Sequence, residues 1–131
     1  MYLLDTNIWL ELLLEKEKSR EVTHFLQNIS SDQLYITDFG LHSIAVIMGR
    51  LGSMDSLLVF IHDLFEEGAT NLVHLIPEDF NKIIHFMNQY KLDFDDAYQY
   101  TAATKYKLQL VSFDTDFDHT EGGRKTPSQI N

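Results

Sequence analysis

Two short apolar runs in this chain end in an aspartate: Tyr2-Leu3-Leu4-Asp5 at the start and Leu110-Val111-Ser112-Phe113-Asp114 near the end. A third acid, Asp96, lies in Leu92-Asp93-Phe94-Asp95-Asp96-Ala97, which reads as the first turn of a helix. Each acid alone has an ordinary explanation: a helix cap for Asp5, a dipole-favoured first-turn residue for Asp96, a turn residue for Asp114. Together they pose an electrostatic problem. At 4 Å and an effective dielectric near 20, each pair of carboxylates repels by about 4 kcal/mol. A hard divalent cation relieves that cost, and magnesium favours one or two carboxylates plus water. Such an ion suits the hydrolysis of an anionic phosphodiester that bare carboxylates would repel.

The elements between these acids must bring them together. The hydrophobic spacing predicts a strand at Tyr2 to Leu4, a helix from Asn7 to Leu14 capped by Thr6 or Asn7, and a helix from Glu21 to Ile29. A second strand follows at Leu34 to Ile36. Thr37 and Asp38 open a helix with Leu41, Ile44, Ala45 and Met48 as its core stripe. Ser53 can cap a helix running to about Phe65, and Leu72 to Ile76 reads as a third strand. Phe80, Ile83, Ile84 and Met87 define the next helix, behind a first-turn Pro77. Asp93 to Tyr106 is helical, Gln109 to Phe113 a strand, and Glu121 to Asn131 a loose tail. Strands separated by helices predict a three-layer α/β/α sandwich around a short-stranded parallel sheet, formed by residues 1–131 as a single domain. Ligands of such sheets sit beyond the carboxyl ends of the strands, where Asp5 and Asp114 emerge.

Composition narrows the chemistry further. The 131 residues contain no cysteine, which removes disulfides, thiolate zinc sites and a cysteine nucleophile, and which fits a reducing cytoplasm. Twenty acids against ten bases give a formal charge of -10, so a uniformly basic nucleic-acid coat is excluded. No apolar run approaches the roughly twenty residues of a membrane span, and the start has no charged leader. The reading is a cytoplasmic protein without a membrane partner. His24, His62, His74, His85 and His119 show no metal-ligand spacing. Tyr98, Tyr100, Tyr106, Phe86 and Tyr90 sit at helical spacing, which core packing explains better than base stacking.

Three blocks carry a resemblance. Leu3-Leu4-Asp5-Thr6-Asn7 at the start, Asp96-Ala97 in a late helix, and Val111-Ser112-Phe113-Asp114-Thr115-Asp116-Phe117 near the end resemble the acidic blocks of the PIN domain. Gly122-Gly123-Arg124-Lys125-Thr126-Pro127 is similar to that family's closing segment. Size points to the toxin-type, VapC-like members. The resemblance implies a metal-dependent endoribonuclease in which Asp5, Asp96 and Asp114 are catalytic and hold Mg2+ or Mn2+, with Asp116 a fourth acid at the same rim. It implies cleavage of RNA to a 3′-hydroxyl and a 5′-phosphate, a small antitoxin partner and a homodimer. Ser112 matches the hydroxyl residue that supports the carboxylates, and Asn7 and Thr6 would orient Asp5 or cap its helix.

One position departs from that pattern. The family places a glutamate in the helix after the second strand, and the count along Ile36 to Ile44 falls on Ser43, beside His42. A hydroxyl holds water but brings no charge, so metal binding should be weaker, and Asp38 compensates only if its helix starts late. A binding module acting through a protein partner is therefore a second reading. Among the rivals, a calcium loop fails because its sixth and twelfth positions are His119 and Lys125. A haloacid-dehalogenase-type phosphatase fails because thirteen residues follow Asp118, too few for that fold. A response-regulator receiver fails for want of an acidic pair after the first strand. No glycine-rich phosphate loop occurs.

Overall fold

The computed structural model describes residues 1–130. Four parallel strands, β1 (Tyr2–Leu4), β2 (Leu34–Thr37), β3 (Asn71–Val73) and β4 (Gln109–Val111), form one sheet in the order β3-β2-β1-β4. The helices are α1 (Thr6–Leu13), α2 (Ser19–Asn28), α3 (Asp38–Arg50), α4 (Met54–Ile61), α5 (Phe80–Tyr90) and α6 (Phe94–Tyr106). Side chains alternate across a strand, and β1 shows the consequence. Leu3 packs with Ile83, Phe86, Ala97 and Phe117 under α5 and α6. Leu4 packs with Ile8, Trp9, Val22 and Ile44 under α1 to α4. Two apolar layers on either side of one sheet make the three-layer sandwich that the alternation of elements predicts. No helix among the described residues is long and apolar enough to cross a membrane.

β1 and β4 are neighbours, with Leu4 beside Val111, so the residues that follow them leave the sheet at one edge. α6 runs back antiparallel to the strands and presents its first turn at that edge. Asp93 caps it, accepting a hydrogen bond from the Asp96 backbone N–H at 3.0 Å. Three acids distant in sequence thus arrive at one rim by topology.

Several boundaries differ from the sequence reading, for identifiable reasons. The third strand ends at Val73 rather than Ile76, because side chains take the next backbone groups: Tyr98 Oη accepts from the Leu75 N–H and Tyr106 Oη donates to the His74 carbonyl. β4 ends at Val111 rather than Phe113, since the Phe113 N–H turns to Asn7 Oδ1. The helix predicted to reach Phe65 changes at His62 into a π-helical segment over His62–Glu67. Ser53 caps nothing with its side chain. The cap of α1 is Asp5, one residue before those expected. Ile84 is exposed, and Ile83 and Phe86 fill the core in its stead. Phe86, Tyr98 and Tyr100 are buried as core residues.

The largest difference is the tail, which is not loose. The Lys125 N–H donates to the Leu110 carbonyl and the Lys125 carbonyl accepts from the Ser112 N–H, both at 3.0 Å, extending the sheet beyond β4 by a parallel bridge. Arg124 clamps Asp118 through Nε and Nη2 and donates from Nη1 to the Ser112 carbonyl. Pro127 is buried, and the Ser128 N–H reaches Glu21 on α2. Asn131 lies outside the described residues. Sequence reading missed this because a bridge of two hydrogen bonds has no periodicity. Truncation before Arg124 is expected to lower stability by about 2–4 kcal/mol, from the lost backbone bonds and the uncovered apolar surface. The urea midpoint measures it, and an unchanged midpoint would show the segment to be structurally idle.

Candidate active site

Asp5 is buried and its carboxylate is surrounded by donors. Oδ1 accepts from the Thr6 N–H at 2.8 Å and from Gln99 Nε2 at 3.1 Å. Oδ2 accepts from Ser112 Oγ at 2.7 Å and from Asn7 Nδ2 at 3.4 Å. Ser112 Oγ also accepts from the Asp114 N–H at 3.0 Å and from Asn7 Nδ2 at 3.2 Å. One buried hydroxyl therefore ties the end of β1 to the loop after β4. Asn7 completes the stitch by accepting the Phe113 N–H at 3.2 Å. Asn7 and Ser112 thus both bond to the Asp5 carboxylate.

Asp114 accepts the Asp116 N–H at 2.8 Å, which turns the chain into a short 3-10 helix and aims both acids at the same rim. Ligand oxygens of Asp96, Asp114 and Asp116 lie within 4.8 Å of one another. They are the one group of three or more such side chains among the described residues placed to share a cation. Asp5 belongs to the same hollow, of about 260 Å³, with Asp96, Asp114 and Ser43. The hollow thus gathers acids from β1, α6 and the β4 exit.

Burial pushes the Asp5 carboxyl above its usual range, the hydrogen bonds of Ser112, Gln99 and Thr6 oppose that, and the Asp114 charge adds to the rise. The Asp96 carboxyl is pushed up to about 8, first by burial and then by the charges of Asp114, Asp93, Asp5 and Asp116. Among the described residues no lysine or arginine forms an ion pair with Asp5, Asp96, Asp114 or Asp116. This donor set, all oxygen and uncompensated, fits a hard divalent cation, which Asp96, Asp114 and Asp116 would hold beside Asp5.

Two contributors were not foreseen. Gln99 is buried and bridges two elements, its Oε1 accepting from Thr37 Oγ1 at 2.8 Å while its Nε2 donates to Asp5. Its position three residues after Asp96 puts both on one face of α6, the signal that could have revealed it. Asp95 lines the hollow beside Asp96. The network requires a close approach at Gly40, where a Cβ would meet Thr37 Oγ1 at 3.1 Å and Gln99 Nε2 and Thr6 Oγ1 at 3.3 Å. Asp38 does not compensate for Ser43. Its helix begins at Asp38 itself, and the carboxylate accepts from Tyr98 Oη at 2.8 Å. His42 is exposed and lies outside the acid hollow.

The raised Asp96 pKa makes a signed prediction. Between pH 4 and 8 the folded chain holds a proton there that the unfolded chain has released, so this group's contribution to stability falls as pH rises through that window. In chelator, the melting temperature should decline toward pH 8, and Asp96→Asn should flatten the decline and raise the pH 8 value. Melting curves across pH check this; an Asp96→Asn variant less stable at pH 8 would refute it.

Comparison with known proteins adds identity to this geometry. A family model described as the PIN domain matches residues 2–123. No curated protein matches the chain in sequence. Among solved structures, a toxin–antitoxin complex from Klebsiella pneumoniae superposes with a TM-score of 0.79 at 22% identity, covering 97% of this chain and 98% of that one. VapC20 of Mycobacterium tuberculosis, described as a sarcin-ricin loop cleaving toxin, gives 0.77 at 13% identity over 92% and 95%. FitAcB from Neisseria gonorrhoeae gives 0.78 at 16% identity over 99% and 100%. At these identities the likeness is one of fold.

Proposed function

The chain belongs to the PIN domain family, and from that premise we propose that it is a metal-dependent endoribonuclease, the toxin of a toxin–antitoxin pair in the cytoplasm. The observation that carries this reading is the convergence of Asp96, Asp114 and Asp116 to within 4.8 Å in a family of nucleases. The toxin part is supported by fold neighbours described as a toxin–antitoxin complex and as a sarcin-ricin loop cleaving toxin.

A divalent ion supplies a nucleophile at neutral pH and neutralises charge on the phosphoryl group. The chain's own residues do the rest. Asp5 is held in one orientation by its four donors, at the wall of the hollow. Asp96, with its raised pKa, holds a proton at neutral pH and gives it up when positive charge enters. Leu10, Phe39 and Ile47 line the other side and limit water. RNA attraction from the protein surface is modest. Two of the ten basic side chains, Arg124 and Lys105, are already engaged, by Asp118 and by Asp79. Binding should then be weak and salt-dependent. A basic antitoxin segment suits a chain of charge -10, and a homodimer belongs to the same proposal.

Purified protein incubated with structured RNA should cleave it with Mn2+ and not with chelator. Asp5→Asn or Asp114→Asn should lower the rate at least roughly 100-fold, given that loss of a partner behind a ligand alone costs 10–100-fold. Cleavage indifferent to both substitutions would defeat the nuclease reading.

The second reading, a PIN-fold module with weakened catalysis that acts through a protein partner, draws on Ser43, which lines the acid hollow at the position of the family's glutamate. Restoring the acid by Ser43→Glu should raise Mn2+ affinity by about tenfold, one added charge at short range. Calorimetric titration measures this. Unchanged affinity would mean that position 43 does not act on the ion, and absent cleavage with tight partner binding would favour the module.

A further inference from the structure

The acid hollow continues into a second concavity of about 490 Å³. Phe39, Ser43, Ile47 and Asp95 belong to the walls of both, and His42 and Val46 of α3 complete the second. We propose that this annex is a nucleobase subsite, which takes the base next to the phosphodiester held at the acids. Phe39 is its stacking surface, and His42 and Asp95 read the base edge. The inference rests on the nuclease reading and names the part of the substrate that sets its selectivity.

Size and lining suit a base. Small-ligand sites occupy roughly 300–1,000 Å³ and combine apolar walls with a few placed polar groups. Phe39 and Ile47 supply the apolar part, and Val46 extends it, 52% exposed although apolar. The Phe39 ring is held in place before any ligand arrives. Tyr98 stacks on it with centroids 5.0 Å apart and planes at 28°, and Phe94 leans against it at 5.9 Å. Tyr98 is in turn pinned, donating to Asp38 at 2.8 Å and accepting from the Leu75 N–H at 3.0 Å. A platform already ordered adds little entropic cost to binding.

The polar groups decide which part of a nucleotide enters. The annex is lined by the Asp95 carboxylate and by no lysine or arginine, so it repels phosphate and admits a neutral ring. Among the described residues no hydrogen bond occupies the exposed His42 imidazole, which is left free to meet a base. A carboxylate accepts from the exocyclic amino groups of cytosine, adenine or guanine, whereas the uracil edge offers a carbonyl in the matching place. The subsite therefore favours amino-bearing bases and discriminates against uracil.

The test needs no turnover. The full chain in saturating Mg2+ is titrated with CMP, UMP and ribose 5-phosphate, followed by NMR shifts and calorimetry. CMP should bind at least about fivefold more tightly than ribose 5-phosphate and than UMP, with shifts at Phe39 and His42. Phe39→Leu should erase most of the preference over ribose 5-phosphate, and His42→Ala should weaken CMP binding while leaving Mn2+ affinity as in the parent, which shows the acid hollow intact. Equal binding of the three probes, no binding of any at millimolar concentration, or a preference surviving both substitutions would each overturn the proposal. So would a Val46→Asp variant that splits a dimer by sedimentation and leaves nucleotide binding alone, because the annex would then be a face between two copies. RNA left uncut by the parent protein would count against the nuclease reading, whereas base-dependent binding is read independently of it.

Discussion

Ser112 Oγ donates to one carboxylate and accepts from the backbone that presents another, so a single buried oxygen couples the ends of two neighbouring strands. The constraint behind it is repulsion. A parallel sheet delivers Asp5 and Asp114 to the same edge whether or not their charges tolerate it, and α6 adds Asp96 from the opposite direction. The surrounding residues accommodate that arrangement. Asp5 is given donors on both oxygens, Asp96 keeps its proton, and Asp114 is held by the turn it initiates.

Such an arrangement exchanges stability for chemistry. A carboxyl with a pKa near 8 and no cationic partner is costly to ionise at neutral pH, a cost that a divalent cation placed there would offset. Rigidity compensates in part. Gln99 links Asp5 to the cap of α3 through Thr37, and Gly40 lets Thr37, Gln99 and Thr6 meet without a methyl group between them. The hollow is thus built on strand ends and helix caps, which hold donor atoms more exactingly than a free loop would.

The sequence reading located the acids because each follows a strong local signal: an apolar run closed by an aspartate, or a first helical turn with three acids. The topology followed from alternation, since parallel strands need helical crossovers. What escaped was long-range and polar. Gln99 reads as one more residue of a buried helix until Thr37 and Asp5 are seen on either side of it. Tyr98 and Tyr106 shorten the third strand by capturing its backbone, an effect no propensity encodes. Ile84 helps to define the helical period by its type, yet α5 turns it to solvent. The closing segment looked loose because glycine, proline and charge dominate it, whereas it is held by backbone hydrogen bonds and by Arg124.

That closing segment bears on how the protein comes into being. Synthesis proceeds from the N-terminal side, so β1, with Asp5, emerges before β4 and has only β2 for a neighbour until β4 follows. Lys125, which fastens the outer side of β4, emerges later still. The acid hollow can therefore be completed only once β4 and its exit have docked beside β1, and a shorter growing polypeptide carries Asp5 without the acids that face it.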